Sequence, residues 1–138
     1  MTPVTRYMLD TNTVSHLLKK HPAVARRVVA APITSLCISA ITQGELLFGL
    51  AKRPDAIALH AAVREFLRRV DVLPWDAVTS EVYGPARAAT QRKGRVLAPM
   101  DLLIGSHALS IDAVLVTNDR GFAQLPGLAI EDWTEEIQ

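Results

Sequence analysis

Four carboxylates in this chain sit where they could work together. Asp10 ends the short apolar run Tyr7-Met8-Leu9 in "YMLDTN", and Asp119 follows the apolar "AVLVT" within "TND". Asp101 stands two residues after Pro99, at the start of the helix-patterned "PMDLLIGSHALSI", and Glu45 lies in "AITQGELLFGLAK" just after "SLCIS". Acids gathered in one place raise each other's pKa unless a cation neutralises them. Oxygen donors without paired histidine or cysteine favour a hard ion, Mg²⁺ with Mn²⁺ as a substitute, over zinc. Such an ion orients a phosphate and activates a water, and a nearby carboxylate can take the proton. The chemistry would be phosphodiester hydrolysis or another phosphoryl transfer. No Walker motif occurs, and neither "KKHPAV" nor "QRKGRV" is a phosphate-cradling glycine loop, so use of nucleoside triphosphates is disfavoured.

Taken singly, each acid also has an ordinary reading. Asp10 could cap the helix of "TNTVSHLL", and Asp101 suits a first helical turn because of the helix dipole. Asp119 in "TNDRG" could be a turn residue. Glu45 falls on the wheel with Ile41, Phe48 and Gly49, away from the stripe of Leu46, Leu47 and Leu50, as a solvated glutamate would. Their placement on the elements is what joins them.

Strand-length apolar runs alternate with longer helical patterns. Strands are expected over 6–9, 35–39, "VDVLP", "AVLVT" and "GLAIEDW". Helices are expected over 13–19, 22–31 and 40–52, from Pro54-Asp55 onward, over 76–94 with a kink or break at Gly84-Pro85, and from Pro99. This β-then-α order predicts an α/β fold, a mainly parallel sheet with helices on both faces. Ligands in such sheets bind outside the carboxyl ends of the strands. Asp10 and Asp119 follow strands directly, Asp101 lies in the first turn of a helix that leaves that edge, and Glu45 comes early in another, a turn or so below it, so all four are expected to converge on one rim. Asp71 and Asp112 precede strands and fall on the opposite edge. Asp76 reaches the correct rim but reads as a cap, beside a strand at the sheet margin.

At 138 residues, 49% hydrophobic and 21% charged, the chain is expected to form one domain over 1–138 with a real core. Its single cysteine, Cys37, reads as a buried strand residue and fits a reducing cytoplasm. The N-terminus lacks a signal-peptide pattern, and the apolar run 96–116 is interrupted by Asp101, His107 and Asp112, so no membrane association is expected. The four histidines form no metal-binding pair. Net charge is only +1, but Arg87, Arg92, Lys93 and Arg95 cluster in "RAATQRKGR", ahead of the Asp101 helix. They could contact nucleic-acid phosphates or serve as plain surface charge. Trp75 and Trp133 read as packed rather than base-stacking.

The motifs "MLDTN", "ISAITQGELLFGL", "APMDLLIGSHAL" and "DAVLVTNDRGFAQLPGLAIEDW" together resemble a PIN-domain protein of the VapC type over essentially the whole chain. The resemblance implies a PIN-like three-layer α/β/α sandwich and a metal-dependent endoribonuclease, the toxin of a type II toxin–antitoxin pair. It implies an acidic quartet of Asp10, Glu45, Asp101 and Asp119, with Asp10 and Asp101 as the direct Mg²⁺ ligands. Glu45 would orient water, Asp119 would hold a second ion or a water, and Asn12 and Thr117 would support the first carboxylate and the last loop. Similar proteins form homodimers, are silenced by a small VapB-like antitoxin, and reach promoter DNA through that antitoxin. Several cut structured RNAs, tRNA included, and the "LDTN" opening and "LPGL" ending resemble the tRNA-cutting branch. Two other readings stand beside this one. A phosphotransfer receiver would need a lysine after a late strand, and "EDWTEEIQ" has none. A non-catalytic module could use the same fold to bind RNA or protein.

Overall fold

The computed structural model describes residues 4–95 and 97–135. The outermost residues of the expected domain, and Val96 at the head of the apolar run, lie outside the described residues. Five strands form one sheet: β1 (Tyr7–Leu9), β2 (Leu36–Ser39), β3 (Asp71–Leu73), β4 (Val114–Val116) and β5 (Ile130–Glu131). Six α-helices connect and cover them: α1 (Thr11–Leu18), α2 (Pro22–Ala30), α3 (Ala40–Ala51), α4 (Ile57–Arg69), α5 (Ala77–Arg92) and α6 (Pro99–Ser110). Short 3₁₀ turns at Ile33–Ser35 and Arg120–Gln124 complete the chain.

Every strand pair is parallel, in the order β3-β2-β1-β4-β5. Met8 sits between Cys37 and Leu115, so the middle three strands are buried on both sides, as their near-continuous apolar character requires. Alternation along these strands separates two cores. Leu9, Leu36, Ile38 and Val116 face one way, onto Val14, Val24, Leu46, Leu50 and Val63 of α1–α4. Met8, Cys37 and Leu115 face the other, onto Ala86 of α5 and Leu102, Ile104 and Ala108 of α6. The α/β/α sandwich is the direct product of that two-sided pattern.

The strand order turns back on itself at β1. Chain order runs outward through β2 and β3 on one side and through β4 and β5 on the other, so the carboxyl ends of β1 and β4 are where sheets of this kind form their ligand crevice. The Asp10 amide donates to the Val116 carbonyl at 3.1 Å, stitching the two strand ends together there.

Several expected boundaries move. Helix α1 starts at Thr11, two residues earlier than expected, because Asp10 caps it. Helix α4 starts at Ile57 rather than at Pro54-Asp55; the Ile57 amide bonds the Asp55 carbonyl in the turn before it. Helix α5 is not broken at Gly84-Pro85. Both residues are exposed, so the carbonyl that loses its proline-side N–H partner can face water. β3 lies at the sheet margin, and Asp76 caps α5 through Thr79, as expected. Arg6, just before β1, pairs with Asp71 at 3.3 Å, which puts Asp71 on the amino edge.

Candidate active site

Asp10 is 4% exposed at the tip of β1. Its Oδ1 accepts the Thr13 amide at 2.8 Å, so the capping role anticipated as an alternative is real and coexists with the rim position. Thr13 in turn donates its hydroxyl to the Val116 carbonyl at 2.9 Å, locking α1 to β4. Burial pushes the Asp10 pKa up; hydrogen bonding by Thr117 and Thr13 opposes this, and the Asp119 charge adds to the rise. The net direction is upward.

Thr117 is buried directly after β4. Its Oγ1 accepts the Asp119 amide at 3.0 Å, while Asp119 Oδ1 accepts the Gly121 amide at 2.8 Å and starts the 3₁₀ turn. One threonine thus favours the Asp10 carboxylate and holds the backbone amide of Asp119. Asp119 is exposed; Asp101, in the first turn of α6, is half-buried.

Glu45 is half-buried as well, and its Oε1 accepts the Thr11 hydroxyl at 2.7 Å. Thr11 also approaches the buried Thr42 hydroxyl, at 3.5 Å. The helical wheel missed this because the polar partner comes from α1, not from α3. Thr11, Thr13 and Thr42 were therefore not anticipated as site residues, although the polar run "DTNT" was a signal for the first two. Asn12 is exposed, and the hydrogen bonds around Asp10 come from its neighbours instead.

The charge on Asp101 reports how these groups stand to one another. Its pKa is raised by burial first, then by Asp119, Asp10 and Glu45. Four acids from remote parts of the chain share one electrostatic field. They do not form a closed cage: among the described residues, no group of three or more His, Cys, Asp or Glu side chains is set to grip an ion. The donor chemistry nevertheless fits a hard divalent cation, since every candidate donor is an oxygen and the neighbouring acids add to the rise that burial gives the pKa of Asp101.

The remaining expected groups fall outside this crevice. His107 is buried, with Nδ1 2.8 Å from Ser39 Oγ. His21 caps α2, and His60 bonds the Arg53 carbonyl. Trp75 donates to the Leu103 carbonyl at 2.9 Å, and Trp133 is buried, so both are packed as expected. Gly105 is packed against the side chains of Leu125 and Phe122. Arg87, Arg92, Lys93 and Arg95 are all exposed and enter none of the ion pairs among the described residues.

A family model described as PIN domain matches residues 7–128. A tRNA(fMet)-specific endonuclease VapC from Salmonella typhimurium is 38% identical over 129 residues, 93% of this chain and 98% of the relative. The chain belongs to the VapC ribonuclease family of PIN-domain proteins. A VapC of the same description from Shigella flexneri is 36% identical over 94% of this chain and 98% of its own length. Ribonuclease VapC2 of Rickettsia felis is 33% identical over 92% and 97%. Among solved structures, DNA-bound VapBC from Salmonella typhimurium superposes with a TM-score of 0.87 at 37% identity, covering 94% of this chain and 99% of that one. VapBC2 of Rickettsia felis, bound to a fragment of its promoter, gives 0.84 at 30% identity, over 92% and 98%. No helix among the described residues is long and apolar enough to cross a membrane.

Proposed function

We propose that this chain hydrolyses RNA at the crevice between β1 and β4, with Mg²⁺, or Mn²⁺ in its place, held by Asp10 and Asp101. The observation that carries the reading is the convergence of Asp119, Asp10 and Glu45 on the charge of Asp101. When bound, the ion supplies the positive charge that lets these acids ionise side by side and that offsets charge developing on the phosphate. The chain's own groups do the rest. Thr13 and Thr117 fix the Asp10 carboxylate, and Thr11 holds Glu45, the acid best placed to orient an attacking water and draw off its proton. Asp119, exposed at the mouth, would hold a second ion or a water.

Two relatives are tRNA(fMet)-specific endonucleases, so initiator tRNA is the first substrate to test. The similar VapBC structures support a VapB-like antitoxin as the partner, promoter DNA being reached only through it. We place this work in the cytoplasm, with the chain as a homodimer.

The test is cleavage of initiator tRNA by the purified chain with Mg²⁺, with EDTA, and in Asp10→Asn and Asp101→Asn forms. Asparagine keeps the cap on α1 while removing the charge. Cleavage that needs Mg²⁺ and both aspartates is expected. Cleavage persisting in either folded variant would reject the assignment.

A further inference from the structure

The basic cluster of "RAATQRKGR" is divided by the fold. Arg87 and Arg95 line a cleft of about 230 Å³ between α5 and α6, together with Tyr83, Gln91, Leu97 and Pro99; Arg92 and Lys93 do not. The division follows from how α5 ends. Gly94 takes a left-handed φ of +67°, the Gly94 amide bonds the Gln91 carbonyl, and the Arg95 amide bonds the Thr90 carbonyl at 2.9 Å. This Schellman turn stops the helix and brings Arg95 back to the wall that carries Arg87 and Gln91. Arg87 is steadied there by donating Nη1 to the Tyr83 hydroxyl at 3.1 Å.

The cleft adjoins the carboxylate rim. Pro99 and Leu102, in its wall, bracket Asp101 in the first turn of α6. Leu97 Cδ2 and Asp119 Oδ1 both lie within 4.0 Å of the point where a Cβ on Gly121 would stand. An RNA strand entering the rim meets four acids that repel its phosphates, so positive charge must be provided close by. Two guanidiniums without carboxylate partners among the described residues, in a cleft beside the rim, provide it in the forked form that suits a phosphate. The cleft is smaller than the roughly 300 Å³ at which pockets for whole organic ligands begin, and it suits one backbone phosphate and its sugar better.

We infer that the cleft between α5 and α6 is a phosphate subsite in which Arg87 and Arg95 hold the RNA backbone beside the scissile position. The inference rests on the ribonuclease reading and deepens it. The experiment measures binding of a labelled single-stranded RNA in EDTA, so that nothing is cut, across a series of KCl concentrations. Arg87→Gln/Arg95→Gln is compared with Arg92→Gln/Lys93→Gln, each pair removing the same charge from exposed positions. The cleft pair is expected to weaken binding roughly tenfold near 100 mM salt and to flatten the log–log salt slope by about 0.7 per lost contact. The other pair is expected to change both far less. Equal losses from the two pairs, or unchanged binding in the cleft variant, would overturn the subsite. So would stabilisation by inorganic phosphate that the cleft pair abolishes without affecting RNA. Wild-type chain that cuts tRNA while the cleft variant binds normally defeats the subsite alone; wild-type chain that neither binds nor cuts RNA defeats the ribonuclease reading and the subsite with it.

Discussion

Thr11 donates its hydroxyl to Glu45 Oε1 at 2.7 Å, so the first turn of α1 fixes a carboxylate that belongs to α3. The two residues are 34 positions apart, and neither helix alone could set the geometry. Thr11→Val removes the donor at nearly constant volume. Loss of a supporting hydrogen bond around a metal-site ligand typically costs about 10–100-fold in activity. We expect that loss in kcat with KM little changed, and recovery in Thr11→Ser, measured by steady-state cleavage of a short RNA. A Thr11→Val enzyme with unaltered kcat would show that Glu45 needs no holding.

The raised pKa values of Asp10 and Asp101 make a prediction about stability without metal. A carboxyl whose folded pKa lies above its unfolded value contributes stability below about pH 3.8, and loses it as pH rises through the raised value. At neutral pH both charges therefore oppose folding. For Asp101 the dipole of α6 favours the carboxylate by about 0.3–1 kcal/mol, and burial beside three other acids outweighs it. In EDTA at pH 7.5, Asp101→Asn should melt above the wild type, with the gap closing under acid conditions. Added Mg²⁺ should raise the wild-type melting temperature and leave the variant's nearly unmoved.

Gly105 carries the contact between α6 and the turn that follows β4. A Cβ there would lie 2.3 Å from Leu125 Cδ1 and 3.4 Å from Phe122 Cδ1, and both side chains are buried. Overpacking of this kind costs about 1–3 kcal/mol. Gly105→Ala should lower the urea midpoint accordingly. It should also reduce cleavage, because Phe122 and Leu125 belong to the segment that presents Asp119. A variant as stable as the wild type would mean that Leu125 can swing aside freely.

His107 titrates in the opposite sense to the two aspartates. Burial holds its pKa below the usual 6.5, with the Asp76 charge pulling the other way. A histidine kept neutral by the fold contributes stability above about pH 6.5, and that contribution is lost as pH falls through this value toward the lowered one. The wild type should therefore lose stability below about pH 6.5. His107→Gln should start less stable, since the bond to Ser39 is disturbed, yet show a flatter decline over the same range. Parallel pH profiles for the two proteins would count against a neutral, buried His107.

The sequence by itself determined which acids could meet. Apolar runs ending in Asp10 and in "TND", with Glu45 early in one helix and Asp101 in the first turn of another, dictate a rim because parallel strands point their carboxyl ends one way. It also carried the two-sided burial of β1, β2 and β4, legible as unbroken apolar character. What only the tertiary structure decided are relations between elements that no local period encodes. Thr11 reaches Glu45, Thr13 ties the Asp10 turn to the Val116 carbonyl, and the cluster that starts at Arg87 divides between a cleft and open solvent. Helix α5 runs through Gly84-Pro85 because exposure makes the missing hydrogen bond cheap, which local propensity cannot foresee. Periodicity fixes the face a side chain occupies, whereas a bond such as the 2.7 Å one from Thr11 to Glu45 depends on where a second helix happens to stand.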